Sequence, residues 1–221
     1  MNRRIIIKIC AVVCGLGGAV ILLWVFSPII SYEFTQSSPL QTFLSPFPVE
    51  GNTGGVTNND YTKVSNWFPE AKKPNDYSIP KVAFYRITIA RLGIRNASVT
   101  IGGEDLNDSL IQYPGTALPG KLGNAVIFGH SVLPAFFNPA SYLTIFSTLP
   151  TLTKNDVIVI DYDGVTYKYQ VEDKFEVDPT DIQVLDQNQS DSFLTLVTCV
   201  PPGLETRRLI VRARIVPVRS T

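Results

Sequence analysis

Histidine occurs once in the 221 residues, as His130, and cysteine three times. A single imidazole leaves one unperturbed side chain that titrates near neutral pH. Positive charge is not in surplus, because 19 Lys and Arg balance 19 Asp and Glu. Three of those bases, Arg3, Arg4 and Lys8, precede the first acid, Glu33, which leaves 16 bases against 19 acids. Such a chain is no nucleic-acid binder, since phosphate contacts need an excess of cations. Charged residues make up only 17% and hydrophobic ones 45%, which excludes a disordered protein. Amphipathic helical patterning is scarce too. What is plentiful is turn and strand material: 15 Gly, 16 Pro, 12 Phe and 9 Tyr.

The one long apolar run lies at the N-terminus. Ile9–Phe26 is uncharged and mostly apolar, and as a helix it would extend roughly 27 Å, close to the hydrocarbon thickness of a bilayer. Arg3, Arg4 and Lys8 precede it, and the next base is Lys63. This asymmetry predicts residues 1–30 to be a cytoplasmic stub and single-pass membrane anchor, with the rest of the chain extracellular. A cleaved signal peptide fits less well. Trp24, Phe26 and Pro28 stand where small residues should precede a cleavage site. Lipidation at Cys14 is disfavoured by the bulk of Val13. Cys10 and Cys14 fall inside the span, so Cys199 is the lone cysteine outside it. It has no internal disulfide partner and is an intermolecular link, a buried bystander or a nucleophile.

Residues 31–79 read as a linker or N-terminal extension, rich in Ser, Thr, Asn, Pro and Gly and without period. Its later part, Tyr61–Pro69, holds an aromatic cluster that either packs on the following domain or covers a site. From residue 80 to 221 short runs rich in Val, Ile, Thr, Tyr and Phe alternate with turn residues, and Tyr162-Asp163-Gly164 is a hairpin signal. Seven or eight strands in this stretch predict an all-β barrel or sandwich. Residues 103–111 and 138–148 are expected to hold short helices.

Three side chains at strand ends bear chemistry. His130 follows the strand NAVIFG at a glycine; Cys199 ends FLTLVTC before Pro201-Pro202-Gly203; Arg208 opens RLIVRARIV. Regular pairing is expected to begin at Arg208, with Arg207 in the preceding turn. Alternation then sets Arg208, Ile210, Arg212 and Arg214 on one face and Leu209, Val211, Ala213 and Ile215 on the core face. A thiolate is favoured by a neighbouring imidazolium or guanidinium, and an acyl-transfer intermediate needs donors for its oxyanion. One Cys, one His and one Arg supply these parts without metal or cofactor.

Together these residues resemble a known family. TLVTC (195–199) followed by Arg208, and YPGTALPGKLGNAVIFGH (113–130), are similar to the TLxTC…R and PGxxxPGxxGNxxIxGH signatures of sortases. The resemblance spans roughly residues 80–218. It implies an eight-stranded β-barrel with short helices and a membrane-anchored cysteine transpeptidase that cuts LPxTG-type sorting signals between Thr and Gly. Cys199 would form a thioester, His130 would act as acid and base, and Arg208 would hold the substrate backbone and oxyanion. Thr198 would add a substrate-binding hydrogen bond. The acceptor would be an amine of cell-wall peptide or a pilin lysine.

The sequence departs from the family at Ser131, where many relatives have Arg. It also has no acid directly before Trp67, which leaves the subclass and a pilin-type lid open. Calcium is conceivable through Glu104, Asp105, Asp108, Glu172, Asp173 and Glu176, yet scattered surface carboxylates give it no support. Two other readings remain. One is an inert β-rich adhesion module with Cys199 buried. The other is a different Cys–His acyltransfer enzyme, although L,D-transpeptidases want a Ser-x-Gly-Cys setting that TLVTC does not offer.

Overall fold

The computed structural model describes residues 3–36, 60–71, 80–203 and 206–216. Two compact units divide the chain, residues 1–44 and 45–221. In the first, α1 (Arg3–Gln36) is one continuous helix of 34 residues. Val12, Leu16, Val20, Leu23 and Trp24 are all exposed along it. Among the described residues, no helix is long and apolar enough to cross a membrane; Ile9 and Val25, part of the apolar run, have side chains outside the described set.

The second unit is built on a closed barrel in the order β1-β2-β3-β4-β7-β8-β6-β5. Its strands are β1 (Phe84–Ile89), β2 (Ile94–Ile101), β3 (Leu110–Gln112), β4 (Gly123–Phe128), β5 (Val157–Tyr162), β6 (Val165–Val177), β7 (Ser192–Val200) and β8 (Arg207–Ile215). The β-branched and aromatic runs of the sequence become these strands because such side chains suit a pleated, half-buried surface. The β5–β6 hairpin turns at Asp163 and Gly164, both at positive φ (50° and 75°), as an Asp-Gly turn between two strands requires. Of the sandwich and barrel expected, the barrel is found.

Two pairings are parallel, β2 with β3 and β4 with β7. The second matters for function. Parallel neighbours end at the same rim, so whatever follows β4 and whatever ends β7 are delivered side by side. On β7 and β8, Leu194, Leu196, Leu209, Val211 and Ala213 are buried on the inward face. The outward face of the same strands carries Val197, Cys199, Arg208 and Ile210.

Neither expected helix forms. Asp105 instead bridges to Lys63 and residues 106–108 form a turn, with Asn107 N–H donating to Asp105 Oδ1 (2.8 Å), and Leu110–Gln112 pairs as β3. In 138–148 the Asn138 side chain accepts from Ala140 N–H (3.0 Å) and Thr144 Oγ1 donates to Asn138 O (2.9 Å). These local bonds compete with helical ones, as Asn and Thr commonly do. Short 3₁₀ turns appear instead at Pro134–Phe136 and Leu149–Thr151.

Candidate active site

Cys199 and Arg208 are direct cross-strand partners on β7 and β8. Such pairs have their side chains on one face, a few ångströms apart. On the other side of β7, Phe128 pairs with Val197, so His130, two residues beyond Phe128, emerges level with Cys199. Thr198 has the opposite pleat. It pairs with Leu209, is fully buried, and its hydroxyl donates to Gly129 O (2.8 Å). The three outward residues are thus brought together, while Thr198 stands behind them with its hydroxyl on backbone.

Gly129 permits this closeness. A Cβ there would lie 2.5 Å from Leu110 Cδ2 and from Phe146 Cδ2. The segment after it is held by several bonds: Gly129 N–H to Val197 O (3.1 Å), Phe146 N–H to His130 O (3.0 Å), Ser131 Oγ to Cys199 O (2.7 Å), and Val132 N–H to Ser147 Oγ (2.9 Å).

The outward face of the barrel at this rim is covered by residues 60–71. Their first part is stitched to the β2–β3 connection: Leu106 N–H donates to Thr62 O (2.9 Å), Val64 N–H to Glu104 O (3.0 Å) and Ser65 N–H to Glu104 Oε1 (3.0 Å). A 3₁₀ turn at Val64–Asn66 then drives Trp67 and Phe68 inward. Both are essentially buried, as is Val64. They join one apolar cluster with Ile111, Tyr113, Val126, Phe128, Val197, Cys199 and Ile210. Burying each such side chain contributes about 1.5–3 kcal/mol.

The Trp67 ring meets Phe128 edge-on at 5.4 Å and lies 6.0 Å from the His130 ring. Its Nε1–H donates to Tyr61 O (2.8 Å), which satisfies the one polar atom that burial would strand. Arg208 is the largest change from expectation. It lies on the predicted face, yet its exposure is 0%. Its guanidinium sits 5.2 Å from the Tyr61 ring centroid and 5.3 Å from that of Trp67, and Nη2 donates to Trp67 O (3.3 Å). Aromatic faces attract cations more strongly when desolvated, which accounts for a buried guanidinium there.

β8 begins one residue earlier than expected. Arg207 pairs with Val200 in the ladder rather than lying in the turn. At the barrel rim its side chain still reaches water, half exposed, with Glu176 at 3.5 Å and Asp178 at 4.0 Å. The cost of a buried cation is avoided because the side chain reaches water and these two carboxylates.

Burial pushes the His130 pKa below its ordinary value of 6.5, opposed by the negative charges of Asp105 and Asp60. Its Nε2 is buried and has no hydrogen-bond partner among the described residues. Cys199 is 4% exposed. Covered in this way, Cys199 and Arg208 are shielded from solvent.

The carboxylates weighed for calcium are dispersed. Glu172 binds Arg214 and Glu176 faces Arg207, while Asp105 turns back on Asn107. Among the described residues no three His, Cys, Asp or Glu side chains are grouped to hold a metal ion.

The family model for the sortase domain matches residues 78–216. Sortase A of Bacillus anthracis is 24% identical over 229 residues, covering all of this chain and 99% of that protein. Among solved structures, sortase C1 of Streptococcus agalactiae is 31% identical with a TM-score of 0.54, over 63% of this chain and 71% of that one. A lid mutant of sortase A from Corynebacterium diphtheriae is 29% identical with a TM-score of 0.53, over 78% and 85%. The sortase D5 transpeptidase of Clostridium perfringens is 25% identical with a TM-score of 0.53, over 64% and 83%. With its sortase-domain match, its eight-stranded barrel and its Cys199–Arg208 pair, the chain belongs to the sortase family of cysteine transpeptidases.

Proposed function

We propose that this enzyme cleaves an LPxTG-type sorting signal and transfers the released carboxyl end to an amine. The observation that supports it best is the convergence of Cys199, His130 and Arg208 at one rim, on β7, after β4 and on β8. Cys199 Sγ, as thiolate, attacks the threonyl carbonyl and a tetrahedral oxyanion forms. Arg208 stabilises it, because its planar fork can span two acceptor oxygens. His130, as imidazolium, gives a proton to the departing glycyl nitrogen and the thioester remains. An incoming amine, on cell-wall peptide or a pilin lysine, loses its proton to His130 and displaces the thiolate.

Residues 60–71 act as a lid over this machinery. Trp67 O already occupies a guanidinium donor of Arg208, so a substrate carbonyl must displace it. Helix α1 serves as the membrane anchor, a reading supported by the uncharged apolar run Ile9–Phe26 and by the exposed Val12, Leu16, Val20, Leu23 and Trp24. The N-terminus is then cytoplasmic and the barrel extracellular.

The test is the full chain in detergent, offered an LPxTG-type peptide library with hydroxylamine as acceptor. Mass spectrometry is expected to find Thr–Gly cleavage with a hydroxamate on threonine, absent in Cys199→Ala. Failure of both the wild-type chain and the Trp67→Ala variant, in which the lid is loosened, to cut any member of the library overturns the reading. An inert module predicts instead that a thiol reagent labels Cys199 only after unfolding.

A further inference from the structure

Ser131 directly follows His130. Its surroundings give it a role of its own. The parallel β4–β7 ladder runs to Phe128↔Val197, and Gly129 N–H still donates to Val197 O (3.1 Å). In a parallel ladder the next rung would run from the Ser131 amide to Cys199 O, two residues further along both strands. Here the Ser131 hydroxyl makes that reach, donating to Cys199 O at 2.7 Å. The backbone is thereby free to turn out at His130 while remaining pinned to the nucleophile's own carbonyl.

A second hydroxyl holds the residue before the histidine. Thr198, the residue before the nucleophile, donates to Gly129 O at 2.8 Å, the residue before the histidine. His130 is therefore suspended between two short tethers, and each ends on the pair Thr198–Cys199. Neither hydroxyl lies in the covering segment, so both bonds persist when residues 60–71 lift.

We infer that Ser131 is a positioning residue that sets the His130–Cys199 spacing through its hydrogen bond to the Cys199 carbonyl, with Thr198 as its counterpart on Gly129. This rests on the transpeptidase reading for its kinetic consequence, though not for its geometry. Misplacing a catalytic group by about 1 Å can cost on the order of 100-fold in rate without touching substrate binding. Proton transfer and thiolate stabilisation both depend on that spacing.

The experiment compares Ser131→Thr with Ser131→Val in the full chain. The two introduced side chains share shape and β-branching and differ in the hydroxyl. Sorting-peptide kinetics are expected to show Ser131→Thr near wild type and Ser131→Val with kcat about 10- to 100-fold lower at unchanged KM. In parallel, the pH dependence of Cys199 alkylation is measured in a Trp67→Ala background. Its midpoint is expected to move up toward that of an ordinary thiol in Ser131→Val but not in Ser131→Thr. Thr198→Ser, which keeps its hydroxyl, is expected to stay near wild type, whereas Thr198→Val repeats the Ser131→Val defect. If peptides are cleaved and the Ser131→Thr and Ser131→Val proteins behave alike in kcat and alkylation, the tether is refuted and the transpeptidase reading stands. If no peptide is cut yet alkylation still separates the two, the tether stands and that reading falls. Melting temperatures of the two variants that differ while alkylation midpoints agree assign Ser131 a structural role only, and overturn the inference.

Discussion

Arg208 and Arg207 are neighbours in sequence with opposite fates, and the difference is testable. Arg208→Ala is expected to lower peptide turnover at least about 100-fold, as loss of an oxyanion donor does. Arg208→Lys is expected to fail substantially as well, because an ammonium lacks the guanidinium's flat fork. Arg207→Ala, whose partners Glu176 and Asp178 are at the wet rim, is expected to change turnover little. Steady-state cleavage rates that reverse this ranking refute the assignment. His130→Ala is expected to cost about 100-fold or more and to abolish any bell-shaped pH–rate profile. The pleat of β8 was legible from its alternating Arg and apolar residues. Thr198 was not, since nothing in TLVTC says which neighbour a hydroxyl will find; only the parallel register places Gly129 O in front of it.

At the scale of elements, the covering segment 60–71 is the least legible part. Tyr61, Trp67 and Phe68 announce an aromatic cluster, but the segment has no period, and its partners are spread across β3, β4, β7 and β8. Strand β3 was hidden for a related reason. Three residues, all buried, show no alternation from which to read it. As the lid proposed above, residues 60–71 are expected to carry a pH dependence whose sign follows from His130. Burial holds its pKa below 6.5 against the opposing charges of Asp105 and of Asp60 in the covering segment; Trp67 lies 6.0 Å from the ring, so the covered form is expected to bind the proton less well than an uncovered one. Closure is at full strength above that ordinary value and weakens as pH falls through the lowered one. With Trp24→Phe leaving Trp67 the sole tryptophan, its emission is expected to shift to the red between pH 8 and pH 5. The same protein carrying His130→Gln is expected to lose the shift. Emission that stays constant until global unfolding refutes this linkage.

For the molecule as a whole, the barrel was the most legible feature, because nearly every strand declares itself by β-branched and aromatic residues between Gly, Pro and Asn. Its stability resides in the inward residues. Leu196→Ala, fully buried on β7, is expected to cost about 2–5 kcal/mol in denaturant unfolding. Leu122→Ala, 62% exposed, is expected to stay within about 0.5 kcal/mol. Equal losses at the two positions would contradict the inward–outward assignment.

The final strand, β8, lies between β7 and β6 and closes the ring. It is also the strand that brings Arg208 to the thiol, and 141 residues separate Arg208 from Trp67, whose carbonyl it holds. Contacts of such sequence separation form late, since loop-closure entropy must be met before they yield any gain. Residues 60–71 are therefore expected to settle only after the last strand has been placed. The cross-strand partner of Cys199, the closing of the ring and the donor that holds the Trp67 carbonyl thus all lie on the same nine residues.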